Sequence, residues 1–115
     1  MTGAQALVSV IIPVYNSDKW IEECLESLSK TDYRPLEVCI FNDSSTDDSH
    51  ARISSGWPAR FDQLGIQFVY TVSQRDAPGG VGYARNQAVK VSSGEYLCFL
   101  DSDDAMRADR VRIQV

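Results

Sequence analysis

Residues 94–104 read Gly-Glu-Tyr-Leu-Cys-Phe-Leu-Asp-Ser-Asp-Asp, an apolar run that stops abruptly on acid. Tyr96–Leu100 is unbroken and carries two aromatic side chains, and Ser92-Ser93-Gly94 leads into it as a turn. This is the pattern of a short strand buried on both faces, as in a parallel sheet covered by helices. Asp101, Asp103 and Asp104 then place three carboxylates at the carboxyl end of that strand, where open α/β sheets bind ligands. Carboxylates on a rigid support suit a hard divalent cation shared with substrate phosphates. The bland alternative is a turn or a helix cap, which also favours acids. A calcium EF-hand is excluded, because a loop starting at Asp101 would put Met106 at the glycine position and Arg112 at the bidentate glutamate.

The 115 residues suffice for one domain with a modest core, 1–115. Hydrophobic residues make up 43% and charged residues 23%, the balance of a soluble globular protein. A net charge of −5 argues against nucleic acid as a partner, since neutralising phosphates needs a basic face. It also means that a cation has to mediate between these aspartates and any phosphate-bearing ligand. Cys24, Cys39 and Cys98 sit in apolar segments without C-x-x-C spacing, so buried, reduced thiols are expected. That points to a reducing, cytoplasmic compartment. Met1–Ala6 lacks the basic-then-apolar pattern of a secretory signal, and no run reaches the length of a membrane span.

Upstream, Val8–Val14 reads as a first strand, with Pro13 ending its ladder and Tyr15-Asn16-Ser17 opening a loop. Ile21, Cys24, Leu25 and Leu28 form one helical stripe, capped by Ser17 or Asp18. Tyr15 is either a half-buried core residue or an aromatic face offered to a planar ligand. Leu36–Phe41 is a second buried strand running into Asn42-Asp43-Ser44-Ser45-Thr46-Asp47-Asp48. Thr46 or Ser45 is expected to cap a helix over 47–55, with Asp47 and Asp48 as ordinary first-turn acids. Asp43 stands apart because it lies directly at a strand's carboxyl end. His50, the sole histidine, falls on that solvated helix with no partner in view, so a catalytic role for it is not expected.

Trp57-Pro58 and Leu64-Gly65 bound another short helix, and Ile66–Thr71 is a third strand. A long loop over 72–82 ends in Gly79-Gly80-Val81-Gly82 and enters a helix at about Tyr83–Val91, with Ala84, Ala88 and Val91 inward and Arg85 outside. The cluster lacks the spacing of a dinucleotide fingerprint, and no Walker lysine is present; it remains a candidate anion site with Arg85 as charge partner. Ala105–Val115 reads as a short helix dotted with arginines. Strand and helix alternate throughout, which predicts a parallel, Rossmann-like α/β sheet with flanking helices.

Pro13-Val14-Tyr15-Asn16, Asn42-Asp43-Ser44-Ser45-Thr46-Asp47, Ala84-Arg85-Asn86 and Asp101-Ser102-Asp103-Asp104 occur in this order across Val8–Asp104. Together they resemble family 2 glycosyltransferases of the GT-A fold. The resemblance implies a nucleotide-sugar donor, often a UDP-sugar, used with Mn²⁺ or Mg²⁺, and transfer to an acceptor hydroxyl with inversion. By position it implies that Pro13, Val14 and Tyr15 line the uracil pocket and that Asp43 hydrogen-bonds the base. Arg85 would approach the diphosphate, Asp101 the ribose or donor sugar, and Asp103 would hold the metal, with Asp104 a second-rank ligand.

Two departures stand out. The family pattern Asp-Asp-Gly-Ser is replaced by Asn42-Asp43-Ser44-Ser45, so a serine occupies a position where a glycine supplies φ > 0. The family's general base and acceptor pocket come from a second half beyond the Asp-Ser-Asp motif, so no base is assigned. The alternatives are a non-catalytic UDP-sugar-binding or regulatory module, which could also pair through an unfinished sheet edge, and a phosphoryl- or nucleotidyl-transferring enzyme with the same nucleotide-and-metal logic.

Overall fold

The computed structural model describes residues 6–104. In chain order they form β1 (Val8–Val14), α1 (Ile21–Ser29), β2 (Leu36–Asn42), α2 (Ser49–Ser54), α3 (Trp57–Gln63), β3 (Gln67–Val72), α4 (Val81–Lys90) and β4 (Tyr96–Phe99). The strands make one sheet in the order β3-β2-β1-β4, and every pairing is parallel. All seven residues of β1 and of β2 are buried, because these strands are central and covered on both faces.

Period-two alternation divides β1 between two cores. Val8, Val10, Ile12 and Val14 face the larger one, built with Ile21, Cys24, Leu25 and Leu28 of α1, Ile53 of α2, and Trp57 and Phe61 of α3. Ile11 turns to the opposite face, where Cys39 and Phe41 of β2 meet Ala84 and Ala88 of α4. The two alanines let α4 lie close against the strands. The chain steps outward from β1 to β2 and β3, then returns to place β4 on the other side of β1. The point where the strand order reverses lies between β1 and its neighbours, at their carboxyl ends.

Several expectations need correction. Tyr96–Leu100 is not buried on both faces: Tyr96, Leu97 and Phe99 are 53%, 42% and 45% exposed, and within β4 only Cys98 is buried. The strand is short and, among the described residues, pairs with β1 alone, which leaves Tyr96, Leu97 and Phe99 without cover on that side. Ser17 leads into α1 through its backbone carbonyl, which accepts from Trp20 N at 3.0 Å and Ile21 N at 2.8 Å, and among the described residues no side chain caps the helix. Neither Ser45 nor Thr46 caps α2, which starts at Ser49. Asn16 Oδ1 draws in the Thr46 and Asp47 amides at 2.8 and 3.3 Å, which keeps that stretch outside the helix. Asp47 Oδ1 accepts from Ser49 N at 2.9 Å instead. Helix α4 begins at Val81 and ends at Lys90, which leaves Val91 exposed beyond it. The helix expected over 105–115 lies outside the described residues.

Cys24, Cys39 and Cys98 are buried and form no disulfide among the described residues. Among those residues, no helix is long and apolar enough to cross a membrane.

Candidate functional site

Three loops leave the carboxyl ends of β1, β2 and β4 on the same side of the sheet and meet. The first two are laced together: Asn16 N donates to Ser45 Oγ at 3.0 Å while Asn16 Oδ1 receives the amides of the second loop. Asn16 and Ser44 both hold positive φ, 48° and 63°. Ser44 thus occupies the left-handed conformation that the sequence departure anticipates.

Between the loops lies a cleft of about 660 Å³. Its walls include Pro13, Val14, Tyr15, Asp43, Asp101 and Asp103, six of the seven residues singled out from sequence. Tyr15 is 48% exposed, with its ring available to the cleft, which resolves its two readings towards the surface. The seventh, Arg85, stands behind this wall and reaches Asp101, Nη2 to Oδ1, at 3.0 Å. Trp20, Ser17 and Ser102 also line the cleft and were not anticipated. Trp20 carried no signal distinguishing it from a core aromatic, yet it is 47% exposed.

Asp43 is 1% exposed, and its amide donates to Val14 O at 2.7 Å. Its carboxylate accepts from Gly79 N through both oxygens and from Gly80 N through Oδ2, all at 3.0 Å. The glycine loop is therefore an anion cradle whose anion is the protein's own, which corrects the reading of these amides as a free anion site. Glycine is required at position 79, where a Cβ would stand 2.5 Å from Cδ2 of Tyr83. A carboxylate offers about four acceptor positions, so Asp43 keeps capacity towards the cleft it lines.

The acidic loop alternates in direction. Ser102 is buried, whereas Asp101, Asp103 and Asp104 are exposed and offer one oxygen each within 4.8 Å of one another. Asp104 N closes the turn on Asp101 O at 3.0 Å. Opposed ligands of a small hard cation stand about 4 Å apart at bonds of ~2.1 Å, so the three oxygens lie near the separation such an ion needs. The donor set is oxygen alone. Burial, followed by the charges of Asp104 and Asp103, pushes the neighbouring Cys24 thiol up to about 12, so it stays protonated. Arg85 presents a further unused group: its Nε is buried and lacks a hydrogen-bond partner among the described residues. His50 lies away from the cleft, with Nδ1 2.9 Å from the Tyr70 hydroxyl.

Comparison with known proteins agrees with this geometry. The model of "Glycosyl transferase family 2" matches residues 9–115. Chondroitin synthase of Escherichia coli is 40% identical over 107 residues, covering 93% of this chain and 14% of that protein. Glycosyltransferase GlyG of Streptococcus pneumoniae is 30% identical over 105 residues, covering 91% of this chain and 33% of the relative. Among solved structures, S. aureus TarS 1–349 in complex with UDP-GlcNAc superposes with a TM-score of 0.79 at 32% identity, covering 93% of this chain and 29% of that one. The mannosyltransferase PcManGT from Pyrobaculum calidifontis, in complex with GDP-Man and Mn²⁺, gives 0.74 at 29% identity, covering 90% and 30%. The chain thus spans a third or less of the length of these relatives. With its four-stranded parallel sheet of GT-A type and its three converging loops, it belongs to glycosyl transferase family 2.

Proposed function

We propose that the cleft is the donor site of an inverting glycosyltransferase that takes a nucleotide-sugar, in first place a UDP-sugar, and passes the sugar to an acceptor hydroxyl. The observation that carries this reading is the meeting of the β1, β2 and β4 loops on one cleft with the acidic cluster at its rim. The nucleotide-sugar complexes of TarS and PcManGT support it.

The half-exposed ring of Tyr15 offers a flat apolar face to a base, beside Pro13 and Val14. Asp43, held rigid by Gly79 and Gly80, presents an acceptor to a base N–H. Arg85 supplies the positive charge for the diphosphate, and its unpaired Nε is a donor waiting for an anionic oxygen. Asp101 is placed by Arg85 to receive a ribose or sugar hydroxyl. Asp103, with Asp104 beside it, would hold Mn²⁺ or Mg²⁺. When bound, a divalent cation supplies Lewis-acid stabilisation of the charge left on the nucleotide diphosphate as the anomeric bond breaks.

A second reading, a UDP-sugar-binding module without turnover, is favoured by one feature. The described carboxylates that line the cleft have other tasks: Asp43 is engaged by glycine amides and Asp101 by Arg85, and Asp103 is the residue assigned to the metal. None is left as an evident base for an acceptor hydroxyl. Sugar transfer or UDP-sugar hydrolysis by the 115-residue chain separates the two readings.

The primary test is calorimetric titration of UDP with and without Mn²⁺. Binding is expected to require the metal, and Asp103→Asn is expected to abolish the metal-dependent component while leaving the thermal melt cooperative. Unchanged affinity in that variant would remove Asp103 from the metal site.

A further inference from the structure

Ser102 and Ser17 lie 85 positions apart in the chain, and their hydroxyl oxygens meet at 2.6 Å in a buried contact. Ser17 Oγ also reaches the Tyr15 carbonyl at 3.3 Å. A carbonyl only accepts, so the Ser17 hydroxyl proton goes to Tyr15 O and the Ser102 hydroxyl donates to Ser17 Oγ. The polar chain therefore runs from the middle of the acidic loop to the backbone of the aromatic residue on the opposite wall. Ser17 is itself braced from behind, because its amide donates to Ser49 Oγ at 2.8 Å at the start of α2.

We propose that Ser17 and Ser102 form a positioning clamp that sets the Asp101–Asp103–Asp104 carboxylates relative to Tyr15. The inference rests on the donor-site reading above. Ser102 points inward where its three acidic neighbours are exposed, so anchoring its hydroxyl fixes the direction in which the flanking carboxylates project. Without that anchor, the described part of the loop is held by the Asp104–Asp101 backbone turn, and three like charges at this spacing repel one another into wider arrangements. The clamp thus lowers the reorganisation needed to gather three oxygens around a cation. Both serines are positioning residues: each hydroxyl proton is committed within the chain Ser102–Ser17–Tyr15 O while the bond stands.

The test uses the 115-residue chain with Ser17→Ala, Ser102→Ala and the double variant. Mn²⁺ alone is titrated by electron paramagnetic resonance, then UDP by calorimetry at saturating Mn²⁺. Each single variant is expected to weaken Mn²⁺ binding by roughly 3- to 10-fold, the worth of one hydrogen bond, and the double variant by no more than either single. UDP affinity at saturating metal is expected to stay within about twofold, a split that a general loss of stability does not produce. Additive losses, or Mn²⁺ midpoints equal to the parent's, would overturn the clamp while leaving the donor site standing. Failure of the parent chain to bind Mn²⁺ or UDP would overturn the donor-site reading, and the clamp with it. Should Ser102→Ala fail to fold, Ser102→Thr keeps the hydroxyl and is expected to bind Mn²⁺ as the parent does, whereas Ser17→Ala alone still carries the comparison.

Discussion

Ser44 shows how one side chain bears on the site. At φ = 63° it sits where a Cβ crowds the following carbonyl, at a cost of about 1–2 kcal/mol for a non-glycine residue. Its hydroxyl donates to Arg75 O at 2.9 Å, but that bond is exposed and offsets little. Glycine would relieve the crowding and add about 0.5–1 kcal/mol of backbone entropy cost. Ser44→Gly is therefore expected to stabilise the chain by about 0.5–1 kcal/mol, read as a higher midpoint in urea with an unchanged slope. A lower midpoint would mean that the Ser44–Arg75 bond holds the glycine loop against β2. The serine replacing the family's glycine was visible in the sequence, and so was the need for positive φ. The compensating bond to Arg75 was not, because it joins positions 31 residues apart.

Between elements, the end of the sheet away from the cleft carries a polar knot. Glu37 of β2 is only 2% exposed, and its carboxylate accepts from Ser9 Oγ of β1 at 2.6 Å and from Ser93 N and Oγ at 2.9 Å. Ser9 Oγ in turn receives Gly94 N at 2.9 Å, so β1, β2 and the entry to β4 share one network. A Cβ on Gly94 would lie 2.7 Å from Ser9 N, so the glycine lets the edge strand approach. Burial acts to raise the Glu37 pKa, but the bonds from Ser9, Ser93 and Cys39 outweigh it and hold it below the ordinary 4.5. A depressed pKa contributes stability that is fully present above 4.5 and is lost as pH falls through the folded value. Glu37→Gln is expected to cost about 1–3 kcal/mol at pH 7, since an amide nitrogen would face buried donors. Thermal melts of parent and variant are expected to converge as pH falls below 4.5. A gap that persists into acid would assign the cost to packing rather than to charge. Nothing in the periodicity of Leu36–Phe41 set Glu37 apart; a single charge in a buried strand was its only sign.

For the whole molecule, the cleft sits where the strand order reverses, so a ligand there touches loops from three strands and should stabilise the fold as a unit. UDP at about 100 times its dissociation constant, added to the Mn²⁺-saturated chain, is expected to raise the unfolding free energy by about 2.7 kcal/mol beyond the metal alone, with a matching rise in Tm. Mn²⁺ alone is expected to do less than the two together, because only one of the two binding free energies is then added to the folded state. A rise with UDP in the absence of metal would place the binding energy in the Tyr15 pocket. The exposed apolar side chains of β4 belong to this scale as well. Among the described residues β4 has one partner strand and presents three large exposed side chains, and sedimentation of the chain reads whether that edge associates.

Local chemistry made much of this legible in advance. Runs of β-branched and aromatic residues marked four strands, the stripe Ile21-Cys24-Leu25-Leu28 marked α1, and carboxylates at strand ends marked Asp43, Asp101 and Asp103 as site candidates, because each signal lies within a few residues of chain, whereas Tyr15 stayed open between core and ligand until the family resemblance was drawn. Folding in three dimensions settled everything that depends on separation. The reversal of strand order made β4 the outer strand of the described sheet rather than a covered one. The return of the glycine loop over β2 turned a free anion cradle into a socket for Asp43. Docking of the acidic loop on the first loop joined Ser102 to Ser17. Such contacts pair groups that are individually ordinary, and their energy appears only once the backbone brings them within hydrogen-bonding distance and excludes water.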